Sequence, residues 1–113
     1  MDVCHMDFFA VRQVREFIDA LDMPVRTDVE IVVDLLKKYG HGLSMPYAKP
    51  IAGGLWELRK TGRPQIRILY GFCHNHIVLV HALKKQRSGL GGREIRIGRE
   101  RLAACCAEIA HTL

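Results

Sequence analysis

Residues 54–85, GLWELRKTGRPQIRILYGFCHNHIVLVHALKK, fall into three short runs separated by two breaks, and this pattern commits the middle of the chain to a β-sheet. The first run, 55–60, stops at Thr61-Gly62-Arg63-Pro64, where proline has no amide to continue a central ladder. The second, 65–73, alternates: Ile66, Ile68, Tyr70 and Phe72 fall on one face, and Gln65, Arg67, Leu69 and Gly71 on the other. His74-Asn75 suits a tight turn. The third run, 77–83, is almost continuously apolar, which predicts a strand buried on both sides at or near the sheet centre. Connections this short imply an antiparallel meander of three strands.

The same stretch carries cations of one sign. From residue 49 to 101 there are twelve Lys and Arg against three acids, a balance of +9, whereas residues 1–48 carry −3 within a whole-chain charge of +5. One-signed charge gathered on a sheet and the helix after it attracts polyanions, and nucleic acid is the first partner to consider.

Around the strands the pattern is helical. Val11, Val14, Ile18 and Leu21 form one apolar stripe, and Val25, Val29, Val32, Leu36 and Tyr39 a second that starts at Pro24 and stops at Gly40 and Gly42. The short link between them predicts an antiparallel helical pair packed on the sheet. Residues 41–54 read as a connector, residues 1–9 leave room for one short edge strand, and 86–92 read as a Gly-rich flexible loop. A third helix over residues 93–110 has the inner stripe Ile95, Leu102, Cys106 and Ile109, with Gly98 weakening it by about 1 kcal/mol relative to Ala.

With 113 residues, 49% of them hydrophobic, one domain spanning 1–113 and one core are expected. No apolar run approaches the roughly 20 residues that cross a bilayer, and the first residues lack a basic start and apolar stretch, so a cytoplasmic address without membrane contact is expected. Cys4, Cys73, Cys105 and Cys106 show no paired spacing and read as small apolar residues kept reduced. Cys73, His74 and His76 cluster at a hairpin tip and read first as turn residues; neither a metal nor a cofactor is called for.

The ordered motifs VREFIDAL, LLKKYGHGLSMPYAKPIAGGLWELR and RILY…VLVHALKK, over residues 11–103, resemble the RelE superfamily of toxins from type II toxin–antitoxin pairs, in particular its HigB-like, phage-derived branch. The resemblance implies an α+β, RelE-like fold: an N-terminal two-helix hairpin on a small antiparallel sheet, the three-strand meander with room for a short N-terminal strand, and a C-terminal helix. It implies a basic concave face opposite the hairpin. It also implies an mRNA endoribonuclease acting at the ribosome, held in check by an antitoxin, commonly a helix-turn-helix protein encoded next door.

Carried over by position, Lys49, Arg59, Arg67 and Lys85 become the catalytic candidates, with Lys84, Arg87, Lys60 and Arg63 as further RNA contacts. The implied reaction needs no metal: a ribose 2′-OH attacks the adjacent phosphorus, a base takes its proton, cations stabilise the phosphorane, and an acid protonates the 5′-oxygen. Guanidiniums of Arg67 and Arg59 suit the phosphorane oxygens, and Lys49 or Lys85 the proton transfers. Other readings stand beside these. Arg59 and Glu57 pair on one strand face, Tyr70 and Trp56 belong to the core, and alternation puts His81 on the core face with Ile77, Leu79 and Leu83. Ala82, where such toxins commonly carry an aromatic, and a tail offering only His111 favour the alternative of a catalytically inert RelE-like protein that binds RNA or an antitoxin.

Overall fold

A computed structural model describes residues 5–85 and 90–112. It is an α+β structure of five strands and three helices: β1 (Asp7–Ala10), α1 (Arg12–Asp19), α2 (Met23–Tyr39), β2 (Ala48–Pro50), β3 (Trp56–Lys60), β4 (Gln65–Cys73), β5 (His76–Lys85) and α3 (Gly92–Thr112). The strands form one sheet in the order β1-β5-β4-β3-β2. The three expected runs are β3, β4 and β5, antiparallel neighbours joined by the 61–64 turn and the two-residue turn at His74-Asn75, where His74 has φ 53°.

The sheet is wider than three strands. The connector contributes β2, a three-residue edge strand ending in Pro50, which an edge tolerates because no neighbour needs its amide. The N-terminal strand exists, but β1 runs parallel to β5 rather than antiparallel, its ladder extended by Asp7 N–H to Asn75 O and Val11 N–H to Leu79 O. The helical pair also departs from a tight hairpin. α1 packs over β5 and α2 over β3, so the sheet beneath joins them more than their own contact does.

The two faces of the sheet hold two cores. On one, Val14, Val29, Val32 and Leu36 of α1 and α2 meet Leu58, Ile66, Ile68, Tyr70, Ile77 and Leu79. On the other, Leu102 of α3 meets Leu55, Leu69, Val78 and Val80, with Ile95, Cys105, Cys106 and Ile109 packed around them. α3 is unbroken through Gly98. A Cβ there would lie 3.1 Å from Leu55 Cδ1 and Leu69 Cδ1, so the glycine that costs helix propensity lets the helix settle onto the sheet.

Two sequence expectations change for local reasons. Cys73 and Cys106 form a disulfide across a Cα–Cα distance of 5.2 Å, since β4 alternation and the α3 stripe aim both thiols into the second core; Cys105 is free. A link closing 33 residues contributes about 4 kcal/mol of stability. In β5 the register against β4 jumps: Leu69 faces His81 but Tyr70 faces Leu79, leaving Val80 as an extra residue. This bulge puts His81 on the α3 face, against simple alternation.

Gly71 sets how closely α3 approaches, because a Cβ would fall 2.5 Å from Leu102 Cδ2. Gly71→Ala should destabilise by about 1–3 kcal/mol in urea or thermal melts. Adding Leu102→Val should return part of that loss; no recovery would place the strain elsewhere.

Candidate functional site

α3 covers only part of the second face, and beyond it the strands present a cationic row. Lys49 of β2 stands directly across from Glu57 of β3, Arg59 of β3 across from Arg67 of β4, and Gln65 of β4 across from Lys85 of β5. Directly opposed side chains share a face, so all six lie together. The sheet register thereby brings together all four catalytic candidates, Lys49, Arg59, Arg67 and Lys85, from four different strands.

Two arginines facing each other repel, and the structure resolves this with a buried carboxylate. Glu57 Oε1 lies 3.6 Å from Arg59 Nε and 3.5 Å from Arg67 Nε. Glu57 and Arg67 are each 1% exposed. Arg67 Nη2 also donates to Gln65 Oε1 at 3.0 Å. Glu57 Oε1, Arg59 Nε and Arg67 Nε nevertheless have no hydrogen-bond partner, so charge rather than directed bonding holds the trio. One carboxylate against four cations leaves the row strongly positive. Burial, opposed by Glu57 and reinforced by Arg59, pushes the Arg67 guanidinium below its ordinary value. The Lys85 ammonium is also pushed down, first by burial, then by Arg67, with Arg59 and Lys49 adding to the effect and Glu57 opposing it. Lys85 is therefore easier to deprotonate than an ordinary lysine amine.

Exposure sorts the candidates. Lys49 is exposed, Arg59 and Lys85 are half-buried, and Arg67 lies beneath them, shielded from direct contact in this conformation. Lys60 is on the opposite face, its Nζ donating to Pro64 O at 2.9 Å to close the turn. Lys84, across from Ile66, is exposed and faces away from the row; Arg63 is exposed in the 61–64 turn. Arg87 lies outside the described residues, as does most of the expected Gly-rich loop.

A model of the family described as Phage derived protein Gp49-like (DUF891) matches residues 16–103. The chain belongs to this family. The Gp49-like family is phage-derived and toxin-like and sits in the RelE/ParE-like toxin superfamily, which agrees with a toxin–antitoxin role. No curated protein matches the chain at a significant level.

In this Gp49-like chain a second polar group borders the row. His81, placed on the α3 face by the bulge, pairs through Nε2 with Glu94 Oε2. Its Nδ1 lies 3.4 Å from Arg101 Nη1, which donates to Val80 O at 3.0 Å. The sequence missed this cluster because its members are 13 and 20 residues apart and the strand alternation is interrupted. His81 thus ties α3 to β5, with both ring nitrogens engaged. Among the described residues, no group of three or more His, Cys, Asp and Glu is placed to hold a metal ion. No described helix is long and apolar enough to cross a membrane.

Because Arg67 is buried on Glu57, truncating it strands a carboxylate. Arg67→Ala should destabilise by about 3 kcal/mol in denaturant melts, and Glu57→Ala/Arg67→Ala should lose less than the two single variants summed. Additive losses would mean that the pair is not coupled.

Proposed function

We propose that this Gp49-like chain is the toxin of a type II toxin–antitoxin pair, of HigB-like type, and an endoribonuclease that cuts mRNA on the ribosome in the cytoplasm. The observation that carries the reading is the convergence of Lys49, Arg59, Arg67 and Lys85 on one open part of the sheet, around the single carboxylate of Glu57. A folded chain gains little from four clustered cations. A phosphodiester passing through a more negative phosphorane gains a great deal.

In this reading Lys85, its ammonium already disfavoured, takes the proton from the ribose 2′-OH as that oxygen attacks the adjacent phosphorus. Arg59 offers paired donors to the phosphorane oxygens, and Arg67 adds charge from below while fixing Glu57. Lys49, exposed on the edge strand, protonates the departing 5′-oxygen. Products would carry a 2′,3′-cyclic phosphate and a 5′-hydroxyl. Arg63 and Lys84 would meet flanking phosphates or ribosomal RNA, and the cognate antitoxin, a helix-turn-helix protein from the adjacent gene, would cover the cationic row with acidic side chains.

The test is end mapping of an mRNA in a cell-free translation reaction with wild-type protein or Lys85→Met. Discrete new 5′ ends inside the reading frame, lost with the variant, are expected. Halted translation on intact message would instead mean an inert relative that binds without cutting.

The pH profile follows from the same cluster. The active form of Lys85 is the neutral amine, favoured by burial and by the neighbouring cations, so cleavage should rise with pH and level off below the ordinary lysine value of 10.5. Arg59→Gln removes a cation that favours the neutral amine, so its rising limb should move to higher pH, besides any loss in rate. A limb that stays in place would remove Lys85 from the base role.

A further inference from the structure

Arg59 reaches beyond the cationic row. β2 begins at Ala48, directly across from Leu58, so the end of β3 that carries Arg59 and Lys60 is bordered by residues 45–47 instead. There Arg59 N–H donates to Tyr47 O at 2.8 Å, and its guanidinium Nη1 lies 3.5 Å from Met45 Sδ. Arg59 also borders a groove of about 260 Å³ on the α2 side of this edge, lined with Asp28, Ile31, Val32, Pro46, Tyr47, Lys60 and Thr61. Tyr47 is 42% exposed and Ile31 54%, so both apolar side chains are accessible from the groove. Arg59 thus sits between the two: its guanidinium faces Glu57 in the row, and the residue borders a groove that holds Tyr47.

We propose that this groove is a nucleobase subsite that receives a base next to the scissile phosphate and sets the base preference of cleavage. The inference rests on the RNA-cleaving reading above. Its chemistry fits an unstacked base better than a further phosphate. The Tyr47 ring and Ile31 offer two apolar surfaces for a flat π-system, and a base–aromatic stack is sequence-tolerant by itself. Asp28 is an acceptor for an exocyclic amine, and the Thr61 hydroxyl both donates and accepts, so together they can read a base edge. Arg59 and Lys60, on the two faces of β3, place positive charge at the β3 side of the groove, with Lys60 Nζ held by Pro64 O. A partner protein would also bury Ile31 and Tyr47, but it has no need of the direct link through Arg59 to the phosphate row. Asp28 selects for an amino-bearing edge, so adenine, cytosine or guanine is preferred over uracil at this position.

The probe is a set of single-stranded RNA hexamers with every ribose 2′-O-methylated, which removes the nucleophile and lets binding be read without cutting. The fluorescent adenine analogue 2-aminopurine is walked through the positions. The full chain should quench one position strongly. Tyr47→Phe should keep that quenching, while Tyr47→Ala should lose it and bind about tenfold more weakly, with both variants melting like wild type. Asp28→Asn should flatten the preference for amino-bearing bases. Equal quenching with Tyr47→Ala, or no hexamer bound at low salt, overturns the subsite. So does a Tyr47→Ala variant that binds RNA normally and loses only the antitoxin, which would make the groove a protein interface. Cleavage of ordinary message, assayed in parallel, separates the two readings: cutting without position-specific quenching sinks the subsite alone, and quenching without cutting sinks the nuclease alone.

Discussion

The Glu57 carboxylate, buried between Arg59 and Arg67, is the interaction on which the site depends. Without it the register would press two guanidiniums against each other across β3 and β4, one of them fully buried. With it both cations are fixed before any substrate arrives, and the row still carries surplus positive charge. A buried ion triad of this kind is weak evidence for stability, since desolvation offsets much of its attraction. Its consequence is preorganisation: the guanidiniums of Arg59 and Arg67 are held in place, and Lys85 feels their field as a push toward its neutral form.

Around this triad the sheet is used asymmetrically. α1 and α2 cover one face with an apolar core, and α3 covers part of the other. Gly71 and Gly98 let α3 lie close against β4 and Leu55, and the Cys73–Cys106 link and the His81–Glu94–Arg101 cluster hold it there. The part of the face left open is where strands β2 to β5 bring their cations together.

Much of this was legible from residue order. The alternation of 65–73 separated Ile66, Ile68 and Tyr70 from Arg67 and Leu69, and the faces of the sheet follow that division. The stripe Ile95, Leu102, Cys106 and Ile109 names the buried side of α3. What escaped depends on register and on partners distant in sequence. The extra residue at Val80 turned His81 to the α3 face, and strand alternation has no means of signalling an insertion before the pairing is known. β2 is too short to show a period, and the parallel direction of β1 is decided by β5, nearly seventy residues away. The disulfide likewise needed α3 docked on β4 before its spacing of 33 residues meant anything. Among the site residues the cations were readable from composition and motif. The depth of Arg67, the position of Lys60 on the far face and the sharing of Arg59 with the Tyr47 groove were not, because burial and handedness are properties of the assembled sheet.

In the proposed function a cationic row, acting through its own side chains, drives attack of a ribose hydroxyl on the neighbouring phosphorus. The most direct measurement is the chemistry of the cut ends, read by mass spectrometry after purified protein has acted on ribosome-bound message, with the RNA purified before analysis. The account predicts a 2′,3′-cyclic phosphate on the upstream fragment and a 5′-hydroxyl on the downstream one, and no cut at a position whose ribose is replaced by 2′-deoxyribose. A 5′-phosphate with a 3′-hydroxyl, or cutting that persists beside the deoxyribose, would contradict it.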